Sequence, residues 1–545
     1  MFTNSSQNIW LKKESKQSPH QEEKAFSFRD DLYTFLNTTI CHCWRHLAQV
    51  DRSNIERFMW LCIHIFDAGA LIFFTLTIWD SFTANPLVTT LHDTIYPIKN
   101  IPFPAISICS NNRISKKAAW ELAKELYLVE ASETKEKDKE GVVKDEESYF
   151  KDIGYLGRMY DYEIENEHLM VAFQQILDKT INDTKVYNFT SIIQRLTPKC
   201  EDLLIKCFFK SKMYPCILKY EMMETRLTPS GFCCSFNYMQ HKDNNEKNYP
   251  YHNDIIGADM GLILVFNATS DDYFYNIYNI KGFHILIHNP LEYPNPQSGS
   301  AFQRFVTPGE ETFIRVEASS IFSEKDILGY KPDKRQCLFP DEKPSYEGKY
   351  TRGECLTNCK IRSIKALCDC VPFQLPMTAT LINQPKICTL QHVSCLNKYK
   401  IKWSTIMLSQ MIEIEGLERE MEESLICPEC YASCSSSKYR VVASRLPLVP
   451  SKRRGFGLIN NIANVSDVVI VRVFFGQSET WQYKQDVQSY WFEIFSNIGG
   501  LCGVVGGFSL IGFTEIFYFI IKQIFLFIMR KLNVKFKSRS LQIYP

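Results

Sequence analysis

Residues 491–528 read WFEIFSNIGGLCGVVGGFSLIGFTEIFYFIIKQIFLFI, and this apolar stretch decides the fold of the chain. A straight helix of that length would reach about 57 Å, nearly twice the roughly 30 Å hydrocarbon core of a bilayer. The stretch also contains Glu493, Glu515 and Lys522, which a plain membrane anchor avoids. The sequence therefore indicates a membrane helix with a break in it, and a candidate pore.

Small residues recur at helical spacing in the middle of this stretch. Gly499, Gly503 and Gly507 are four residues apart, and Gly500 follows the first of them. One interpretation is a small-residue face on which another helix packs closely. The other is a line of glycines that lets backbone carbonyl groups turn toward a permeating ion. The pattern alone favours packing, and both interpretations stay open.

A second apolar run, FMWLCIHIFDAGALIFFTLTIW at 58–79, has the length of one tilted span. Two spans place both termini on one side of the membrane, and lysines and arginines are enriched next to both outer ends. The positive-inside rule then puts both termini in the cytoplasm. The predicted organisation is a cytoplasmic N-terminus (1–57), a first transmembrane helix (58–79), an extracellular domain (80–490), a second transmembrane helix (491–528) and a cytoplasmic C-terminus (529–545).

Cysteine placement supports this topology. Of the 20 cysteines, Cys41, Cys43, Cys62 and Cys502 lie inside or in the membrane, which leaves 16 in the predicted extracellular domain. An even and dense set in an oxidising compartment predicts a disulfide framework. Zinc is the alternative, but zinc sites usually pair two close cysteine clusters at domain scale, so we expect no metal. Four N-x-S/T sequons lie in the same region and are candidate glycosylation sites: Asn182, Asn188, Asn267 and Asn464.

The extracellular region has mixed α and β character. Residues 95–112 carry prolines that exclude a helix, followed by β-branched alternation that favours a strand. Residues 259–317 and 466–476 show the same alternation, whereas 115–180 is charged and helix-prone. We expect an α+β membrane protein, in which strands from both ends of the loop join one sheet and a helical, disulfide-stapled module is attached to it.

Several segments, in order and spacing, carry a resemblance to a known family. They are RSNIERFMW (52–60), IPFPAISICSNN (101–112), GFCCSFN (231–237), RQCLFPDE (335–342), YTRGECLTNCKIRSIKALCDCVPFQLP (350–376) and SNIGGLCGVVGGFSLIGFTEIF (496–517). Together they resemble the degenerin/epithelial sodium channel superfamily, which includes the acid-sensing channels. Within it the chain is most similar to insect pickpocket-type subunits.

The resemblance implies a trimer with the second helices around a central axis. It also implies a hand-like extracellular domain with a β palm and β-ball, a helical finger and thumb, and a knuckle. For the cysteines, it implies the pairs Cys109–Cys233, Cys200–Cys207, Cys337–Cys434, Cys355–Cys430, Cys359–Cys427, Cys368–Cys395 and Cys370–Cys388. Cys216 and Cys234 remain for an eighth bridge.

The resemblance also assigns roles in the pore. Gly507, Phe508 and Ser509 occupy the Gly-x-Ser filter position, and the bulky Phe508 departs from the small middle residue common in the family. Ser496 aligns with the degenerin gate site at the outer end of the second helix. Glu515 is predicted to form a ring of negative charge toward the inner mouth, with an interhelical hydrogen bond as the alternative.

The family also has a gating motif in the cytoplasmic N-terminus, before the first span. Its His-Gly pair corresponds to His42, where Cys43 replaces the glycine. We expect His42 to influence gating, and an ordinary surface histidine is the alternative.

The predicted function is a subunit of a voltage-independent, amiloride-sensitive sodium channel of the plasma membrane, gated by an extracellular chemical or mechanical stimulus. We expect homo- or heterotrimers within the family, contact with membrane lipids, permeant Na⁺, no cofactor and no nucleic-acid partner. A non-conducting or modulatory two-span subunit that needs a sister subunit is the alternative. An ATP-gated trimeric channel would need a lysine-rich nucleotide site and another cysteine order. The sequence has no GxSxG, P-loop or HExxH motif, so an enzyme is not expected.

Overall fold

The computed structural model of the chain contains two compact units, and each is described by itself. One unit is Leu87–Val487, and the other joins Met1–Pro86 with Gln488–Pro545. The described residues are 28–39, 44–49, 51–84, 86–136, 144–184, 188–217, 222–239, 250–342, 350–376, 386–407, 423–449, 465–507 and 509–531.

The helices of the described residues belong to both units. The terminal unit contains α1 (Phe28–Thr38), α2 (Arg45–Ala48), α3 (Asn54–Ala84), α13 (Trp491–Gly506) and α14 (Leu510–Lys531). The middle unit contains α4 (Lys116–Glu136), α5 (Glu146–Ile153), α6 (Arg158–Asp161), α7 (Glu167–Thr184), α8 (Phe189–Leu196), α9 (Cys200–Leu203), α10 (Pro332–Arg335), α11 (Arg352–Cys368) and α12 (Val393–Ser404).

The strands belong to the middle unit. They are β1 (Leu87–Pro97), β2 (Ala105–Ser110), β3 (Asn112–Ser115), β4 (Leu204–Phe209), β5 (Lys212–Tyr214), β6 (Met223–Thr228), β7 (Gly231–Phe236), β8 (Leu262–Asn267), β9 (Tyr273–Asn276), β10 (Phe283–His288), β11 (Ala301–Val306), β12 (Glu310–Ser323), β13 (Cys337–Leu338), β14 (Ile406–Met407), β15 (Leu425–Ile426), β16 (Ala432–Ser433), β17 (Ser436–Pro447), β18 (Val468–Phe475) and β19 (Glu479–Val487).

The larger sheet is built around β12. Its strand order is β1-β19-β12-β18-β8-β4-β5, and β17 also pairs with β12. The N-terminal half of β12 runs parallel to β18 from Glu311 to Val316, and its C-terminal half runs parallel to β19 from Ser319 to Ser323. β1 pairs antiparallel with β19, with Leu87 opposite Val487. The strands at both ends of the middle unit therefore meet in one sheet.

The second sheet packs against the first through an apolar core. Its order is β11-β10-β2-β7-β6. Phe103, just before β2, is fully buried at the centre of this core, and its ring lies 5.2–6.1 Å from the rings of Phe209, Phe236 and Phe475. Removing a ring buried in this way costs about 3–5 kcal/mol. The proline-rich approach to β2 therefore contributes an aromatic anchor between the two sheets.

A second core lies among the helices of the middle unit. It joins apolar side chains of α4, α5, α7 and α8 to those of α11 and α12. Local signals define the ends of these helices. Thr351 accepts a hydrogen bond from the Glu354 N–H at the start of α11, and Asp369 takes a left-handed conformation at its end. Asn188 and Ser191 form a reciprocal capping box at the start of α8.

Eight disulfides staple the middle unit, and six of the expected pairings are present. These are Cys109–Cys233, Cys337–Cys434, Cys355–Cys430, Cys359–Cys427, Cys368–Cys395 and Cys370–Cys388. Five of them join the segments that flank α11 and α12, where the helical core is otherwise interrupted by loops. Each disulfide of this kind stabilises the folded state by about 2–4 kcal/mol, because it restricts the conformations of the unfolded chain.

The expected bridge Cys200–Cys207, with Cys216 and Cys234 left for an eighth bridge, is wrong. The structure pairs Cys200 with Cys234 and Cys207 with Cys216. The β4–β5 hairpin turns the chain back, so that Cys216 comes within 5.4 Å of Cys207 between Cα atoms. Successive residues of a strand face opposite sides, so Cys234 of β7 reaches Cys200 while its neighbour Cys233 bonds elsewhere.

The terminal unit contains two helices that are long and apolar enough to cross a membrane. They are Asn54–Ala84, with a mean hydropathy of 2.0, and Leu510–Met529, with a mean hydropathy of 1.8. Trp491–Val505 is a shorter apolar helix directly before the second. Few of their side chains are buried, so these helices present apolar surface that a bilayer would cover.

Candidate functional site

The second apolar segment is interrupted at Gly507–Ser509. Helix α13 ends at Gly506, and Gly507 adopts a left-handed conformation with φ of 63°. Its N–H donates to the carbonyl oxygen of Cys502, which closes the last turn. A side chain at this backbone angle would be strained, so glycine is the residue that ends the helix here at least cost.

Ser509 begins the next helix. Its hydroxyl oxygen accepts a hydrogen bond from the N–H of Gly512 at 3.1 Å, and its carbonyl oxygen accepts from Phe513 N–H at 3.0 Å. This is the N-cap geometry that serine favours, and it satisfies a backbone donor that would otherwise lack a partner inside a membrane. The Gly-x-Ser sequence therefore ends one helix and starts another. Phe508, between them, lies outside the described residues.

Helix α13 packs on α3 through one face. Ile494 is 8% exposed, and together with Asn497 it lines a cleft of about 350 Å³. The other wall of this cleft includes Thr77 and Phe82 of α3. The contact fixes which side of α13 is turned toward its own chain.

The other side of α13 carries the small residues. Ser496, Gly499, Gly500 and Gly503 are all exposed within the described part of the protomer. A methyl group added at Gly499 or Gly500 would meet no atom within 4 Å. The predicted gate residue and the predicted pore or packing residues therefore share a surface that α3 leaves uncovered.

Glu515 lies on α14 in contact with α1. The hydroxyl of Thr39 donates to its Oε2 at 3.1 Å. This is an interhelical hydrogen bond, the alternative that the sequence left open beside a charge ring.

This contact is one of three that join α1, or the residue directly after it, to α14. The ring of Phe35 stacks on that of Phe519 with centroids 4.3 Å apart, and Gln523 donates to Asp31 at 3.0 Å. Residues four apart lie on one side of a helix, so the three contacts form a continuous antiparallel interface, here called the seam. The period of α1 is visible in the sequence, but nothing local in it identifies α14 as its partner.

The predicted gating residue His42 lies outside the described residues. The chain that follows it is anchored on the start of α3. The ring of His46 stacks on Trp60 with centroids 4.6 Å apart, and Arg57 donates to the carbonyl oxygen of Gln49 at 2.7 Å. These contacts hold residues 46–49 on the start of α3.

The candidate glycosylation sites occupy different settings. Asn188 is exposed and caps α8, where its side-chain oxygen accepts from the Ser191 N–H at 2.8 Å. Asn267 ends β8, and its oxygen accepts from the Thr269 N–H at 3.1 Å. Asn182 lies in α7, where its side chain is not described, and Asn464 lies outside the described residues.

A carboxyl pair lies at the start of α11 in the middle unit. Burial, reinforced by the charge of Glu354, raises the pKa of Glu292 to about 7. A Cβ added at Gly353 would lie 3.3 Å from the Glu292 Oε2 atom, which shows how closely this carboxyl approaches the helix. Within the described part of the chain, no group of three histidine, cysteine or acidic side chains has the geometry of a metal site.

Comparison with known proteins finds a matching family model and several similar proteins. The family model of the amiloride-sensitive sodium channel matches residues 35–519. Pickpocket protein 28 of Drosophila melanogaster is 24% identical over 539 residues, covering 90% of this chain and 78% of its own length. Sodium channel protein Nach of Drosophila ananassae is 21% identical, covering 89% and 85%, and epithelial sodium channel subunit gamma of Neoceratodus forsteri is 21% identical, covering 94% and 85%.

Among solved structures, a proton-activated chloride channel aligns with 84% of this chain and 95% of its own, at 5% identity and a TM-score of 0.29. A TM-score this low does not establish a shared fold.

Proposed function

This chain belongs to the amiloride-sensitive sodium channel family, and we propose that it is a subunit of a sodium-selective, amiloride-sensitive, voltage-independent channel. The family consists of ion channels, so the protein is a two-span plasma-membrane channel protein and not an enzyme. The finer proposal is that an extracellular chemical or mechanical stimulus gates it. In this arrangement both termini are cytoplasmic and residues 80–490 are extracellular.

The observation that carries the proposal is the break at Gly507–Ser509. A continuous helix keeps its carbonyl groups inside its own hydrogen bonds and has none to offer an ion. Because α13 ends at Gly506 and α14 begins at Leu510, carbonyl groups of the last turn of α13 are freed, and the Ser509 hydroxyl lies in the break that follows them. Such oxygens replace the water that a cation loses on entering a narrow pore.

A trimer is proposed because one chain does not enclose a pore. The face of α13 with Ser496, Gly499, Gly500 and Gly503 is uncovered in the described protomer. Three such faces around an axis would bring small residues together at the narrowest point. One relative is named as a subunit, which is consistent with assembly from several chains.

The test is whole-cell current from the chain expressed alone with Ser496→Phe. A bulky side chain at this site would hold three crowded helices apart, so we expect constitutive current that is larger in sodium than in potassium and blocked by amiloride. The matched control is Phe495→Trp, which adds bulk at an exposed neighbouring position on the same helix. This variant should leave the resting current unchanged.

Two outcomes separate the alternatives. Currents from Ser496→Phe that equal those of the parent at rest, with normal surface delivery, would contradict the homomeric channel. Co-expression with sister subunits then distinguishes an obligate heteromer, which gains current, from a non-conducting subunit, which stays silent.

A further inference from the structure

The middle unit contains a cavity of about 450 Å³ where segments remote in sequence meet. Its lining includes Arg113 of β3, Tyr160 of α6, His284 of β10, Lys360 of α11 and Lys400 of α12. Cavities that hold small ligands commonly measure about 300–1,000 Å³. Whatever binds here contacts strands of the second sheet as well as helices α11 and α12.

Three cationic side chains line this cavity: Arg113, Lys360 and Lys400. Asp161 carries the only carboxylate among the described lining residues, and it is already engaged. It accepts a hydrogen bond from the Tyr275 hydroxyl and pairs with Arg158 at 3.4 Å. The cavity therefore has an excess of positive charge that its own acid does not neutralise.

The protein contacts of Arg113 and Lys360 are with neutral groups. Arg113 is 4% exposed, and its Nη1 donates to the Ser110 carbonyl oxygen at 2.8 Å. Its Nε has no hydrogen-bond partner within the described part of the chain. Burial lowers the pKa of Arg113 to about 10, so the guanidinium is still charged at neutral pH. A buried charge without a counter-charge is costly, and a bound anion would relieve that cost.

Lys360 of α11 likewise contacts a neutral group. Its ammonium group donates to the Gln297 side-chain oxygen at 3.1 Å, and burial lowers its pKa to about 8. His284 is 4% exposed, and its Nε2 has no partner among the described residues. Burial, reinforced by the charge of Arg113, lowers its pKa to about 4, so at neutral pH it adds no charge to the cavity lining.

The rest of the lining mixes neutral polar side chains, such as Asn295, Gln303 and Gln374, with aromatic and apolar ones. The Tyr160 ring lies 5.8 Å from the Arg113 guanidinium, and Trp403, Ile364 and Leu375 complete the surface. The indole N–H of Trp403 already donates to Ser363 at 3.0 Å, so its ring offers mainly apolar contact. A bare inorganic ion would leave this surface wet, whereas an organic body would cover it.

We propose that this cavity binds a small organic carboxylate with an aromatic or branched apolar body. Arg113 and Lys360 hold the carboxylate, and the body packs between Tyr160 and Trp403. Bidentate capture by a guanidinium and a charge-assisted bond to lysine are the strongest contacts for such a group. That this ligand is the stimulus of the channel rests on the proposed function, but the binding itself does not.

The test measures binding to the full-length protein in lipid nanodiscs, by the shift of its thermal unfolding midpoint. The probe is phenylacetate, and its neutral isostere phenylacetamide and the small anion acetate are the comparisons. Titrations run to about 10 mM, the range in which ligands of this size bind. We expect phenylacetate to raise the midpoint at lower concentration than either comparison.

Variants locate the site. Lys360→Gln should weaken the apparent affinity for phenylacetate about tenfold, the loss expected for one charge-assisted contact. Lys400→Gln should weaken it less, because its charge adds only to the positive potential of the cavity. Lys398→Gln is the matched control, because Lys398 lies exposed on α12 two residues from Lys400 and does not line the cavity. Both lysines of the site are only half-buried, so their variants avoid the folding risk of replacing Arg113.

Absence of any shift with phenylacetate overturns the proposal. So does an equal shift with phenylacetamide or acetate, or unchanged affinity in both lysine variants. The channel proposal is tested separately by the Ser496→Phe current. A conducting channel without carboxylate binding contradicts only the site, and carboxylate binding by a silent protein contradicts only the channel.

Discussion

At the scale of single residues, Ser509 combines two properties in one side chain. It places an oxygen at the break in the second segment and caps the helix that follows, so its removal acts on stability as well as on the proposed pore. Ser509→Ala should lower the unfolding free energy by about 1 kcal/mol, because the Gly512 N–H loses its acceptor. Ser509→Asn, which keeps an acceptor, should lose less.

The measurement is the thermal midpoint of the purified protein in detergent. Thr514→Ala serves as the control, since its hydroxyl bonds only the carbonyl oxygen of Ile511 on the same helix. If Ser509→Ala has the same thermal midpoint as Thr514→Ala and the parent, Ser509 does not act as a cap.

Glu292 makes stability depend on pH. Its pKa is raised from 4.5 to about 7, so the folded state binds more protons than the unfolded state between these values. Stability is therefore greatest below about pH 4.5 for this group and is lost as the pH rises through 7. Glu292→Gln should remove this pH-dependent loss of stability and stabilise the protein at pH 8 by on the order of 1–2 kcal/mol.

Thermal midpoints at pH 5 and pH 8 measure this effect. The gap between parent and Glu292→Gln should widen at the higher pH, whereas Glu201→Gln, which alters an exposed carboxylate, should follow the parent at both. A gap that is the same at both pH values would show that the Glu292 charge is not what destabilises the fold.

At the scale of elements, the seam between α1 and α14 gives a geometric prediction. The Phe35 and Phe519 rings are stacked, so cysteines at these positions should form a disulfide when membranes are oxidised. Tyr33→Cys paired with Phe519→Cys is the control, because Tyr33 lies about half a turn away on α1. Mass spectrometry of the cross-linked peptides reads the outcome, and equal yields from both pairs would contradict the seam.

The β4–β5 hairpin gives a prediction about cysteine chemistry. Because Cys207 pairs with Cys216 across the hairpin, Cys216→Ser should release one reactive thiol at Cys207. Cys234→Ser should release one at Cys200. Alkylation followed by peptide mapping identifies the labelled residue. Labelling of Cys234 in the Cys216→Ser protein would instead support a Cys216–Cys234 bridge, the pairing that the structure contradicts.

At the scale of the whole molecule, features that depend on neighbouring residues could be predicted from the sequence. Contacts between distant segments could not. The two apolar runs, the break at Gly507–Ser509 and the proline-bounded strand at β2 each depend on residues close in sequence. Six cysteine pairs followed from the resemblance. Among Cys200, Cys207, Cys216 and Cys234, three pairings are possible and spacing does not choose between them.

The cavity illustrates the same limit. Arg113 lies in the short strand β3, and Lys360 lies between cysteines in α11, so each could be read as an ordinary surface charge. Only the packing of β3, α6 and α11 brings their charges to one space. Burial, which turns these side chains into a site, is a property of the assembled unit and has no local signature.

The position of β12 has a consequence for how the protein is made. β12 pairs with β17, β18 and β19, all of which leave the ribosome after it, and β1 finds its partner β19 only at the far end of the middle unit. During synthesis the early strands therefore wait with open edges, which are prone to misassembly. Successful biogenesis depends on protecting these edges until β19 has been made.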